Sequence, residues 1–262
     1  MHKNRPRKRF GQNFLIDDGV VSSIEKAVSP APTDHVVEIG PGLGALTREL
    51  LSSGCRLDAI ELDRDLRAPL LAEFSINERF RLHQGDALTF DFSSLKRSDT
   101  PLRVVGNLPY NISTPLLFRL IDLDGIADMH FMLQLEVVQR LTATPGERHW
   151  GRLAIMTQLH CSTQMLFEVP PSAFNPPPKV QSAVIRLVPH AAPLFPSTDR
   201  DKLARLVTAA FAQRRKTLRN NLKGLLNEAQ IASAGADPSV RAEVLDLATF
   251  VRLTEALGTG QP

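Results

Sequence analysis

Asn107, Leu108, Pro109 and Tyr110 stand in a row just after the apolar run Arg103 to Val105. An amide, a rigid turn and an aromatic ring in that order can grip a planar amine. The lone pair of a purine amino group is delocalised into the ring, so its nitrogen is a poor nucleophile. Two acceptors that bond both N–H groups favour a pyramidal nitrogen with a localised pair. The side-chain carbonyl of Asn107 and the backbone carbonyl of Pro109 can supply them, and their dipoles stabilise positive charge growing on that nitrogen during alkylation. A neutral amide leaves no unpaired carboxylate in the site. Tyr110 offers a face for the base to stack on. Such chemistry calls for no nucleophilic side chain and no metal. Asn and Pro also favour plain turns, so the tetrapeptide takes its meaning from where it falls.

It falls 63 residues after Gly44, the end of a second candidate site. Glu38-Ile39-Gly40-Pro41-Gly42-Leu43-Gly44 closes the apolar run His35 to Ile39 and precedes a helical pattern. Glycines at such a corner let the chain turn tightly and let a ligand lie against the backbone. A helix N-terminus behind them favours an anionic ligand group. Glu61 ends the next run, where a carboxylate can accept from ribose hydroxyls. Asp86, in Gly85-Asp86-Ala87, follows the third and can accept from an adenine amine. Read as Gly40-x-Gly42-x-x-Ala45, the loop also fits a nicotinamide dinucleotide, and an oxidoreductase stays open. The Glu38 lead-in and the Gly85-Asp86 step favour S-adenosylmethionine.

Strands alternating with helices must hold these loops. Apolar runs rich in β-branched residues recur at His35–Ile39, Leu57–Leu62, Phe80–Gln84, Arg103–Val105, His130–Leu135 and Leu153–Leu159. Helical spacing appears at Val20, Val21, Ile24 and Val28. It recurs at Leu46, Leu50 and Leu51 before Gly54, and from Ser113-Thr114-Pro115 through Ile121. The pattern predicts an α/β fold: a doubly wound, mostly parallel Rossmann-like sheet in which ligands bind beyond the carboxyl ends of the strands. A last strand, Ala183 to Val188, follows a Pro-rich loop with no helix between and is expected to pair antiparallel at or near an edge. Composition shifts to Pro, Ala and Ser around Pro189 to Ser197. The expected division is a basic arm over 1–12, a cofactor-binding domain over 13–190 and a small all-helical domain over 191–262.

The hydrophobic share of 43% suffices for a sizeable core, and no run approaches the length of a membrane span. No apolar segment follows the basic start, so no secretory leader is expected. Cys55 and Cys161 show no ligand spacing, which points to a reduced, cytoplasmic setting. Net charge is only +3, but it is unevenly spread. Lys3, Arg5, Arg7, Lys8 and Arg9 crowd one end, while Arg214, Arg215, Lys216, Arg219 and Lys223 crowd a second segment. Two such clusters fit a polyanionic partner, although each could equally be a solvated face. Arg215, Arg219 and Lys223, spaced four apart, are predicted to form a stripe on a helix that also carries Leu218, Leu222, Leu225 and Leu226.

At these residues the chain resembles the ribosomal RNA adenine dimethyltransferases, over nearly its whole length. The strings that carry the likeness are Phe10-Gly11-Gln12-Asn13-Phe14-Leu15, Glu38 to Gly44, Gly85-Asp86-Ala87 and Asn107 to Ser113. Further strings are Gln134 to Val138, Gly151-Arg152-Leu153, Phe174-x-Pro176-x-Pro178-x-Val180-x-Ser182 and Arg214 to Leu222. The resemblance implies S-adenosylmethionine as cofactor, lined by Asn13, Leu15, Gly40, Glu61, Asp86 and Asn107. It implies that Phe174 sandwiches the target base opposite Tyr110. It implies dimethylation of the N6 amines of two adjacent adenosines near the 3′ end of 16S rRNA. The substrate would be an assembling small subunit, and the protein is expected to act as a monomer away from membranes. Arg7, Lys8, Arg9, Arg214, Arg215, Lys216, Arg219 and Lys223 are the expected RNA contacts. Trp150 stands where a Tyr is expected before Gly151. A branch acting on large-subunit rRNA and a non-catalytic ribosome-assembly factor remain the alternatives.

Overall fold

The computed structural model describes residues 13–95, 100–109 and 111–258. The chain folds into two compact units, one of residues 1–138 with 164–189, the other of 139–163 with 190–262.

The first unit is built on a sheet. After a short strand β1 (Phe14–Leu15), helix α1 (Asp18–Val28) starts where Asp17 accepts from the Val20 N–H at 3.0 Å, and it buries Val21, Ile24 and Val28. Strand β2 (His35–Ile39) is buried at every position, as a central parallel strand must be. Then follow α2 (Ala45–Ser52), β3 (Arg56–Glu61), α3 (Arg64–Phe74), β4 (Phe80–Gln84), β5 (Leu102–Asn107), α4 (Ser113–Ile121) and β6 (Ile126–Gln134). Helix α5 (Leu135–Thr142), α6 (Arg152–Gln158), β7 (Cys161–Val169), β8 (Phe174–Asn175) and β9 (Ser182–Pro189) complete this part of the chain. The seven-stranded order is β4-β3-β2-β5-β6-β9-β7, and β1 pairs antiparallel with β8 in a separate ribbon. Strands β2 to β6 run parallel, while β9 pairs antiparallel with β6 in the penultimate position. The chain works outward from β2 to β4, then returns to place β5 on the other side of β2. The sheet's topological switch therefore lies between β2 and β5, where a cleft opens beyond their carboxyl ends.

Helix α3 gives little sign of itself in the sequence, because Pro69 interrupts it and its apolar face is thin. The run Leu153–Leu159 is a correction of type: it forms most of α6 rather than a strand, and the strand comes next, at β7. Leu153, Ala154, Ile155 and Leu159 are all buried, and a short run buried all round carries no period that separates helix from strand.

The second unit is helical, with a core that includes Trp150, Ile155, Leu206, Leu222 and Phe250. Residues 139–163 belong to it, which the expected contiguous division at 190 does not foresee. The tie is specific: Trp150 Nε1 donates to the Leu245 carbonyl at 2.8 Å, and Gly146 N–H donates to Glu243 at 2.7 Å. Helix α7 (Arg200–Ala210) buries Leu203, Leu206, Val207 and Ala210 as its spacing predicts. The basic segment departs from expectation. Only Leu218–Asn221 is helical (α8), so Arg215 and Lys223 share no helix. The N–H groups of Leu218 and Arg219 donate to Val240 and Pro238 instead of to helical carbonyls, and Gly224 turns at a φ of 90°. The Asn221 amide, donating to Ala210 and Gln213, fixes the turn before it. Helices α9 (Glu228–Ser233) and α10 (Leu247–Glu255) finish the unit.

Within the sheet unit Arg103 ties three elements together. It donates to Asp34 at 2.7 Å, to both oxygens of Asp128 at 2.8 and 3.0 Å, and to the carbonyl of Val28 at 2.6 Å. Its side chain is only 15% exposed. Arg103→Ala strands two carboxylates and the end of α1, and should destabilise this unit by about 3 kcal/mol or more. Denaturant unfolding followed by circular dichroism checks this, and a loss well under 1 kcal/mol would mean that solvent replaces the guanidinium.

Candidate active site

The β2–β5 junction is tight because Gly106 allows it. A Cβ there would stand 2.6 Å from the Ile39 carbonyl oxygen. Register pairs Ile39 with Gly106, so the loop after β2 and the last residue of β5, Asn107, lie side by side. Gly44 starts α2 with a φ of 80°, and a Cβ on it would strike the Phe74 ring at 2.6 Å. The glycine loop is therefore pinned on one side by α3 and on the other by β5.

One cavity opens over these ends, with about 1440 Å³ of empty space counted out to its mouth. Asn13, Leu15, Gly40, Glu61, Asp86, Asn107 and Pro109 all line it. Tyr110 lies outside the described residues, as do Arg7, Lys8 and Arg9. Phe174 is placed elsewhere. It is 3% exposed, paired with Leu15 across β1 and β8, and packed into the core rather than on the cavity wall.

Asn107 is held by its amide nitrogen, which donates to the Asn13 carbonyl at 3.1 Å. That bond commits the donor end and leaves the carbonyl end as the one able to act as acceptor in the cavity. Pro109 shares its carbonyl with the Ile112 N–H at 3.1 Å, which uses one of two lone pairs and closes the turn into α4. Glu61 is fixed from both sides: one oxygen accepts from Asp63 N–H at 2.8 Å and the other from Gly42 N–H at 3.3 Å. Asp86 accepts from Leu88 N–H at 2.9 Å.

The cavity wall is acidic. Glu38, Glu61, Asp63 and Asp86 line it, with no Lys or Arg among its described lining residues. Burial pushes the Glu38 carboxyl up to about 7; the Thr47 hydroxyl, donating at 2.7 Å, opposes the shift and the Glu61 charge adds to it. Burial also raises Glu61, against the hydrogen bonds from Asp63 and Gly42. Such a wall suits a cationic cofactor and repels the pyrophosphate of a dinucleotide. In the sequence Glu38 serves only as a lead-in to the glycines; the signal of its role is an acid inside an otherwise apolar strand. His130 carries the same signal and is not foreseen. Buried on β6, it lines the cavity, with Nδ1 3.7 Å from an Asp128 carboxylate oxygen. Burial lowers it to about 4, against the pull of Asp128, so it stays neutral. Among the described residues no cluster of His, Cys, Asp and Glu could hold a metal ion, and no helix is long and apolar enough to cross a membrane.

The basic segment 214–223 lies in the helical unit, and all five cations are exposed. Arg214 is tied inward, donating to the Arg148 carbonyl at 2.6 Å and lying 3.6 Å from Glu243. Arg219 lies 3.8 Å from Glu228.

Residues 3–257 match the family described as Ribosomal RNA adenine dimethylase. A Ribosomal RNA small subunit methyltransferase A from Pseudomonas fluorescens is 58% identical over 98% of this chain and 95% of its own. Among solved structures, a dimethyladenosine transferase from Plasmodium falciparum is 27% identical with a TM-score of 0.75, covering 92% of this chain and 95% of its own. A 23S rRNA methyltransferase, ErmE, has the same TM-score at 26% identity, over 94% of this chain and 99% of its own.

The raised Glu38 carboxyl gives a signed pH dependence. From its ordinary 4.5 up to about 7, the unfolded chain has released this proton while the folded chain keeps it. Stability from this group therefore falls as pH rises through that window. Glu38→Gln keeps an acceptor for Thr47 and removes the titration. The cofactor-free variant should lose less thermal stability between about pH 5 and about pH 8 than the parent, as read by melting curves. An equally steep decline would assign it to another group.

Proposed function

The chain belongs to the ribosomal RNA adenine dimethylase family, and from that premise we propose how its residues methylate adenine. It is an S-adenosylmethionine-dependent methyltransferase that dimethylates adenine N6 in small-subunit rRNA. The fold alone does not choose between ribosomal subunits, since the large-subunit enzyme matches it equally well. The 58% identity to the small-subunit enzyme supports the choice. We take the targets to be two adjacent adenosines near the 3′ end of 16S rRNA, modified in the cytoplasm on an assembling small subunit by a single copy of the chain.

The observation that carries the reading is Asn107, held by Asn13 on the wall of an acidic cavity that Glu61 and Asp86 also line. When bound, S-adenosylmethionine supplies a methyl group already activated by its sulfonium. Glu61 is oriented by two backbone N–H groups to accept from ribose hydroxyls. Asp86 accepts from the cofactor's adenine amine. The carbonyl of Asn107 and the remaining lone pair of Pro109 each accept one N–H of the target amine. They localise its lone pair and stabilise the charge that grows there. The alkylated nitrogen then loses a proton to water, which readies it for a second transfer. Tyr110 is assigned the stacking of the extruded base. Phe174, buried opposite Leu15, is assigned the support of β1. Exposed cations of residues 214–223, with Arg7, Lys8 and Arg9, are assigned to phosphates, which position RNA without reading its sequence.

Labelled methyl transfer to small subunits lacking the modification, followed by nucleoside analysis, should yield dimethyladenosine in their RNA. Asn107→Ala should lower turnover on the order of 10²-fold in that assay, with cofactor affinity titrated in parallel. Near-normal turnover would remove Asn107 from the chemistry. Neutralising Arg215, Arg219 and Lys223 together should weaken RNA binding. It should also flatten the salt dependence by about 0.7 to 0.9 in log–log slope for each phosphate no longer neutralised. An unchanged slope would take this segment out of the RNA interface.

A further inference from the structure

The loop that carries Asp86 has no strand or helix of its own. Residues 85–91 leave β4 and turn back on themselves, with Thr89 and Phe90 N–H groups donating to the Asp86 carbonyl at 2.9 and 2.8 Å. Gly85 N–H donates to the Glu61 carbonyl at 3.1 Å and the Phe90 ring packs against His83, and further along one side chain grips the loop's backbone. Arg119, partly buried near the end of α4, donates through Nη1 to the Ala87 carbonyl at 2.8 Å and through Nη2 to the Phe90 carbonyl at 2.6 Å. Its guanidinium lies 5.6 Å from the centre of the Phe92 ring. A planar fork meets two carbonyls and an aromatic face at once, which an ammonium cannot do.

The other end of α4 serves the base. Its first turn grows out of residues 107–112, with Ile112 N–H on Pro109 and Leu116 N–H on Ile112. From Ser113 to Arg119 the helix rises about 9 Å. One rigid rod thus carries the turn of Asn107 and Pro109 at its start and grips the Asp86 loop near its end.

We propose that Arg119 is a positioning residue, clamping the Asp86 loop to the helix that follows Asn107 so that Asp86 is held in place for the cofactor's adenine. It touches neither ligand and acts through the backbone of Ala87 and Phe90. The inference rests on the assignment of Asp86 to the cofactor.

A double-mutant cycle on the full chain tests it, with S-adenosylmethionine binding read by titration calorimetry. R119M should raise the Kd roughly five- to tenfold, part of what a charge-assisted hydrogen bond within the site would contribute. The cofactor KM should rise in step, with kcat at saturation and the RNA KM within about twofold. R119K should fall between, since it can reach one carbonyl at a time. In a D86A background R119M should add less than about twofold, the non-additivity expected of residues acting as one unit. An unchanged Kd in R119M overturns the clamp. So does an equal factor in both backgrounds when D86A alone weakens binding. D86A without effect beside a loss in R119M overturns the Asp86 assignment, and with it the proposed action of Arg119 through Asp86.

Discussion

Two strands approach so closely at their carboxyl ends that no side chain fits between them, and the site depends on that approach. Gly106 lies against the Ile39 carbonyl with no room for a methyl group. Because side chains alternate along a strand, a residue at 106 could not be turned aside without also turning Asn107 out of the cavity. The same closeness sets the glycine loop beside Asn107 and brings the Asn13 carbonyl within reach of its amide. The placement of Asn107 is therefore inherited from backbone packing rather than from a flexible side chain searching for its place.

Charge then decides what the cleft can hold. A glycine loop before a helix would by itself welcome an anion. Here Gly42 N–H is turned on Glu61, and Glu38 lies buried behind it. Carboxylates around the loop reverse its preference and favour a cation. The acceptors proposed for the target amine are an uncharged amide and a peptide oxygen, which can stabilise developing positive charge without the desolvation cost that a buried carboxylate carries.

The helical unit is organised by different means. Residues 139–163, inserted in sequence between two parts of the sheet, are stitched to the C-terminal helices by the indole of Trp150 and by Arg214. Arg214 thereby has structural work in addition to its charge. Arg215, Lys216, Arg219 and Lys223 project from a turn built around the Asn221 amide, so their arrangement follows the loop and not a helical repeat.

Residue order determined the parallel sheet, because β-branched runs buried on both faces and separated by amphipathic helices have few other ways to pack. It also determined the loops of Gly40, Glu61, Asp86 and Asn107, since these all fall at strand ends on one edge of such a sheet. What it left open are features set by partners distant in sequence. Leu153–Leu159 could be strand or helix until the core of the second unit chose. The basic helix lost its length because residues 238–240 took the N–H groups of Leu218 and Arg219. The base-stacking role of Phe174 comes from the resemblance alone, while the structure shows it paired with Leu15 across β8 and β1 and 3% exposed. Local sequence fixes propensity and period. Which competing partner satisfies a backbone group or covers an apolar ring is decided only when segments far apart in the chain meet.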